Sequence, residues 1–162
     1  MDNSTLSIEL EIFTPYELVR WREKGKFNEI KLPEKKVWSK MKRSQWIESL
    51  LLGIVAPPLY VSEDYDGNLN IIDGVNRLHT IFEFLDNKLQ LRGLPILQDI
   101  NGVSYDNLPI YLKSKFQNAK VAICIIKPGT PARTIAEIVK RINYRPASIP
   151  MDASINFLKN KK

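Results

Sequence analysis

Apolar and polar positions alternate from the start of the chain. Leu6, Ile8, Leu10 and Ile12 fall on one side, and Ser7, Glu9, Glu11 and Phe13 on the other. That period of two predicts a half-buried strand over residues 6–13 with the four aliphatic side chains inward. Thr14-Pro15-Tyr16-Glu17 has the form of a capping box with proline at the first helical position, so a helix is expected to about Lys24, stopped by Gly25. Residues 27–32 predict a short strand. Ser44 predicts the cap of an apolar helix over 45–52, ended by Gly53 and Pro57-Pro58. Residues 59–62 and 69–73 predict a hairpin across Asp64-Tyr65-Asp66-Gly67-Asn68. Leu78, Ile81, Phe82 and Leu85 then recur at helical spacing, up to a turn at Asp86-Asn87-Lys88.

Further on, Gly93 and Pro95 break the apolar run 89–97, which leaves short strands or a loop. Asn101-Gly102 and Asp106-Asn107 mark turns, and residues 109–116 predict a short helix. Residues 121–126 are all apolar and rich in β-branched side chains, the pattern of a central strand. Thr130-Pro131 predicts a helix start by cap and proline, with Ile135, Ile138, Val139 and Ile142 on its apolar face. Residues 151–158 predict the beginning of a last helix. Interleaved strands and helices with one hairpin make the expected fold α+β, in a single domain over residues 1–162.

Composition changes this picture little. The hydrophobic share is 44% and the charged share 26%, ordinary values for a globular domain. No run approaches the roughly 20 apolar residues of a membrane span. The start, Met1-Asp2-Asn3-Ser4, lacks the pattern of a signal peptide. The one cysteine, Cys124, excludes an internal disulfide and lies in an apolar run, where it reads as a small core hydrophobe. A cytoplasmic protein with no membrane contact is expected.

Charge is more informative. The net charge is +6, and Lys31, Lys35, Lys36, Lys40, Lys42 and Arg43 crowd one segment with only Glu34 opposing. Trp38 lies inside that segment and Trp46 just beyond. Lysine with interleaved aromatics suits nucleic acid, by phosphate contact and stacking. It equally suits a solvated loop with its tryptophans turned to the core. Lys35, Lys36, Lys40, Lys42 and Arg43 are the nucleic-acid-binding candidates.

The most distinctive segment is Ile71-Ile72-Asp73-Gly74-Val75-Asn76-Arg77-Leu78-His79. A strand that enters a helix through a glycine turn presents free backbone N–H groups and a partial positive charge at the helix start, which favours an anion. Arg77, one turn in, adds a planar cation matched to phosphate. The same residues also fit a plain turn, with Gly74 left-handed and Asp73 capping. His79 is the one histidine and Cys124 the one cysteine, so a zinc set of the usual kind is excluded and a His-based triad would have to use His79. Neither a P-loop nor a G-x-S-x-G elbow is present. Asp64, Asp66 and Asp73 are near in sequence, without spacing that brings them together. No metal site is assigned.

Taken in order, these segments resemble the ParB/sulfiredoxin-like N-terminal domain of GmrSD-type restriction and phage-defence proteins. The matching pieces are Leu32-Pro33 with Val37-Trp38, the helix and proline turn from Trp46 to Pro57-Pro58-Leu59-Tyr60-Val61, and Asp73-Gly74-Val75-Asn76-Arg77-Leu78 in place of Asp-Gly-Gln-Gln-Arg-Leu. A later apolar strand and Arg141-Ile142-Asn143 complete the set. The resemblance covers about residues 27–150. It implies a ParB/sulfiredoxin-like mixed sheet with packed helices, and a nucleotide or DNA-phosphate site lined by Asp73, Gly74, Asn76, Arg77, Arg141 and Asn143. It also implies NTP with Mg2+ as a cofactor, NTPase- or nuclease-related chemistry with Asp73 and Arg77 the best catalytic candidates, and DNA, a partner protein or a second copy as partners.

The signature is degenerate. Val75 and Asn76 replace both glutamines, Glu34-Lys35-Lys36 replaces a Gln-Arg pair, and Tyr144-Arg145-Pro146 replaces a Gly-Gly. The family's HNH-type nuclease domain lies outside these 162 residues. Catalysis needs groups placed to about 0.5 Å. The changes therefore favour phosphate binding over hydrolysis, with a non-enzymatic DNA-binding module or an inactive interaction domain as the alternatives.

Overall fold

The computed structural model describes residues 6–143. They fall into two compact units, one up to Thr130 and one from Pro131. In the first unit, β1 (Ile8–Phe13), β2 (Leu59–Glu63), β3 (Leu69–Asp73) and β4 (Val121–Ile126) form one mixed sheet in the order β1-β4-β2-β3. β4 runs antiparallel to β1 and parallel to β2, and β2 and β3 form the hairpin. The helices α1 (Pro15–Glu23), α2 (Lys40–Leu51), α3 (Val75–Leu85) and α4 (Ile110–Gln117) complete an α+β fold. Among the described residues, no helix is long and apolar enough to cross a membrane.

Local signals explain most elements. Thr14 and Glu17 form the reciprocal capping box of α1, with Thr14 N donating to the Glu17 carboxylate at 2.7 Å and Glu17 N to Thr14 Oγ1 at 3.2 Å. β4 is buried along its whole length, as a strand between two others should be. Its Val121, Ile123 and Ile125 join a core that includes Leu18, Ile47, Leu50, Leu78, Ile81 and Phe84. Each such side chain contributes about 1.5–3 kcal/mol on burial. Phe84 meets Tyr105 and Phe116 edge-on.

Several expectations are corrected. α2 begins at Lys40 with Ser39 as its cap, whose hydroxyl accepts from Lys42 N at 3.2 Å. Ser44 is therefore inside the helix, fully buried, donating to Lys40 O and accepting from Arg92 N. Residues 27–32 make only one bridge, Phe27 with Leu69, in place of a strand. The run 89–97 is loop, one of its two expected outcomes, and side chains take part of its backbone bonds. The buried carboxylate of Glu48 accepts from Ile96 N and Leu97 N at 2.9 and 2.6 Å, and Asn101 Oδ1 accepts from Leu94 N.

The largest correction concerns β1. Its aliphatic side is exposed, with Ile8 at 41%, Leu10 at 63% and Ile12 at 52%, and only Phe13 is buried. The place of β1 at the sheet edge explains this, since the β4 residues on the same face are buried. Ile8, Leu10 and Ile12 pair with Ile126, Cys124 and Ala122, on the sheet face opposite the one carrying Val121, Ile123 and Ile125 into the core. Cys124 is buried, as its apolar run suggested.

The second unit contains α5 (Ala132–Ile142). Pro131, not Thr130, is its N-cap, because the Thr130 hydroxyl donates to Lys127 O. Ile135, Ile138, Val139 and Ile142 form its apolar face and are half-buried. The helix expected over 151–158 lies outside the described residues.

Candidate functional site

Gly74 is the N-cap of α3, with φ +99°, a left-handed conformation that side chains rarely adopt. Space excludes a side chain as well, because a Cβ there would lie 2.0 Å from Cδ2 of Leu59. The turn is therefore set against the first residue of β2. Asp73 does not cap the helix. Its carboxylate accepts from Nη2 of Arg77, one turn on, at 3.3 Å.

Arg77 is turned inward. Its side chain is only 14% exposed. Nη1 donates to the carbonyl of Pro57, and Nη2 to that of Pro58 at 3.3 Å as well as to Asp73. The backbone carbonyl of Arg77 accepts from Nε1 of the buried Trp46 at 3.1 Å. Burial pulls the guanidinium pKa down and the Asp73 charge pushes it back. The arginine stays charged and ties the loop before β2 to the start of α3.

Asn76 reaches the other way. Its Oδ1 accepts from Trp38 N at 3.0 Å, and its Nδ2 donates to Lys36 O at 2.9 Å. Both polar atoms of the Asn76 amide are thus engaged with the basic segment. Pro33 O accepts from Lys36 N, closing a turn that exposes Lys35 and Lys36. Two residues after Trp38, α2 begins. The basic segment and the glycine turn, apart in sequence, form one surface.

The lysines of that surface outnumber its two carboxylates, Glu34 and Asp73, and Asp73 is engaged by Arg77. α2 and α3 both start there, and neither has an acidic residue in its first turn. Lys40 and Lys42 instead add positive charge to the positive end of α2, an arrangement that costs a helix about 0.3–1 kcal/mol per charge unless an anion compensates. Lys42 Nζ lies 4.7 Å from the Trp38 ring centroid. Lys35, Lys36, Lys40 and Lys42 have no carboxylate partner among the described residues. Arg43 differs. It pairs with Glu83 on α3, which also lies 3.6 Å from His79 Nδ1, so its charge is already answered within the protein.

The remaining candidates are dispersed. Asp64 folds the hairpin turn, accepting from Asp66 N and Asn68 N at 3.0 and 2.8 Å, and β3 separates it from Asp73. Arg141 lies in the last turn of α5, where Nε donates to Glu137 at 3.1 Å, and Asn143 caps that helix. Both are described within the second unit alone. Sequence reasoning missed Ser39 and the carbonyls of Pro57 and Pro58, while Trp46 takes the core position that was one of its two expected places. Of these only Ser39, a serine before a helical run, carried a signal.

No curated protein and no solved structure matches this chain. Residues 26–160 match the family model for the GmrSD restriction endonuclease, N-terminal domain. That span contains the glycine turn, the basic segment and Arg141-Ile142-Asn143, and the chain belongs to this restriction- and defence-related family.

Proposed function

We propose that this chain is a phosphate-binding module of its restriction-related family, with a ParB-like mode of holding DNA phosphate where residues 35–42 cross the start of α3. One observation carries the reading. Asn76 fastens Lys36 and Trp38 beside a helix N-terminus, so fixed backbone donors and unpaired lysines share a surface. Lys35, Lys36, Lys40 and Lys42 supply the charge, and the N–H groups at the starts of α2 and α3 supply oriented donors. Asp73, Gly74 and Arg77 shape the turn. A nucleotide with Mg2+ is the second ligand this surface suits, because a triphosphate presents the same oxygens. Binding is favoured over hydrolysis, because Arg77 would have to leave two carbonyls and Asp73 to reach a phosphate. On this reading the protein works in the cytoplasm, where foreign DNA is met.

Fluorescence anisotropy with a labelled duplex, across a salt series, tests the proposal. Affinity should fall steeply with salt, with a log–log slope of about −0.9 per neutralised phosphate. Changing Lys35, Lys36, Lys40 and Lys42 together to Glu should weaken binding at least about tenfold and flatten that slope. Thermal shift with ATP, GTP or CTP and Mg2+ reads the nucleotide arm, since a ligand of the folded state raises Tm. If neither DNA nor nucleotide binds, or the four-lysine variant binds as well as the parent, the reading is wrong.

A further inference from the structure

We propose that the outer edge of β1 receives an extended segment of a partner protein in which apolar residues alternate with Lys or Arg. The two edges of the sheet differ. β3 is bridged at its first residue, where Leu69 N donates to Lys26 O at 2.7 Å and Asn28 N to Leu69 O at 2.9 Å. β1 has β4 on one side and no strand on the other among the described residues. Edge strands usually carry charges, a proline or a bulge that discourage further pairing. β1, Ile-Glu-Leu-Glu-Ile-Phe, has neither proline nor bulge, and its two charges, Glu9 and Glu11, are of one sign, so they select a basic strand rather than exclude every strand.

The side chains define what fits. An added strand sets its residues alternately beside Ile8, Leu10 and Ile12 on one face and beside Glu9 and Glu11 on the other. The aliphatic row is 41–63% exposed and would gain by apolar cover. On the acidic row, Lys127 reaches Glu9 at 3.0 Å and Glu63 at 3.0 Å. Glu11 has no cation partner among the described residues. A basic residue opposite Glu11 is therefore favoured. A second copy of β1 is disfavoured, because antiparallel pairing about Leu10 sets Glu9 against Glu11 of the other copy, like charges directly opposed. Main-chain bonds would supply affinity and the alternating rows specificity, as in other strand-addition complexes. This surface is distinct from the phosphate site and independent of it.

The test uses the full chain and two capped heptapeptides, one alternating Val with Lys and one alternating Val with Glu, followed by calorimetry. The Val-Lys peptide should bind and should slow amide exchange in residues 8–13, and the Val-Glu peptide should not. Glu11→Lys, an exposed change that leaves the core intact, should weaken the Val-Lys peptide at least fivefold and admit the Val-Glu peptide. The four-lysine variant should bind as the parent does. Absence of binding, equal binding of both peptides, or indifference to Glu11→Lys overturns the proposal. So does sedimentation showing that the chain dimerises through residues 8–13, or a requirement that residues 144–162 be removed before the peptide binds.

Discussion

Oδ1 of Asn76 accepts the backbone N–H of Trp38 at 3.0 Å, and so fixes the segment that leads into α2 against the second residue of α3. With the bond from Nδ2 to Lys36 O, one short amide organises a segment that has no regular structure of its own. Each neutral bond contributes about 0.5–1.5 kcal/mol net, so the effect on global stability is modest and the effect on local order is large.

Asn76→Ala should therefore leave the fold intact and loosen the turn at Lys35 and Lys36. Limited trypsin digestion is the readout, with cleavage after Lys35 or Lys36 several times faster than in the parent. DNA affinity should fall in parallel. Asn76→Asp is the sharper control, because a carboxylate keeps the acceptor for Trp38 N but cannot donate to Lys36 O. Equal cleavage rates in all three proteins would remove Asn76 from this role.

Arg77→Ala should destabilise the first unit by about 2–3 kcal/mol, from charge-assisted bonds to Pro57, Pro58 and Asp73 lost together. Arg77→Lys should recover only part of this, because a single ammonium cannot span the carbonyls as the planar guanidinium does. Urea denaturation at equal slope measures both. If Arg77 instead met ligand phosphate directly, the alanine variant would keep its urea midpoint and lose only binding.

Acid should weaken the fold through Asp86. Arg22 donates Nη2 to Oδ1 at 2.7 Å and Nη1 to Oδ2 at 2.9 Å. These bonds hold the Asp86 pKa below the usual aspartate value, against a smaller opposing effect of burial, with the charges of Arg22 and Lys88 adding. The folded carboxylate then binds fewer protons than the unfolded one. Its contribution is complete above the unfolded pKa of about 3.9 and is lost as pH falls through the lower folded value. Asp86→Asn should make stability fall less steeply between about pH 5 and about pH 3. An unchanged slope would refute it. Asp64, held low first by the Asn68 N–H, acts in the same direction.

The turn at Gly74, the hairpin and β4 were legible because each rests on local signals, a glycine between two periodicities or an unbroken apolar run. The start of α2 was less so. Ser39 and Ser44 both precede helical sequence, but Lys40, Lys42 and Arg43 hide the apolar period until Trp46. The inward course of Arg77 was not legible at all, since two of its partners are backbone carbonyls, which any residue carries. Alternation in residues 6–13 correctly grouped Ile8, Leu10 and Ile12. It could not say that this row would stay exposed, because that depends on β1 lying at the sheet edge, which its pairing with the distant β4 decides.

The register of β1 also sets an order of events. Ile8 pairs with Ile126 and Phe13 with Val121, so the first strand made is the one that must wait for the last. The hairpin of β2 and β3 closes over a short loop and can form early. β1 cannot dock until β4 has left the ribosome, and until then its aliphatic row has no neighbour of its own. The β1–β4 pairing also spans the widest sequence separation in the sheet, so protection of residues 8–13 against exchange should appear last as the chain refolds, with β1 as the closing piece.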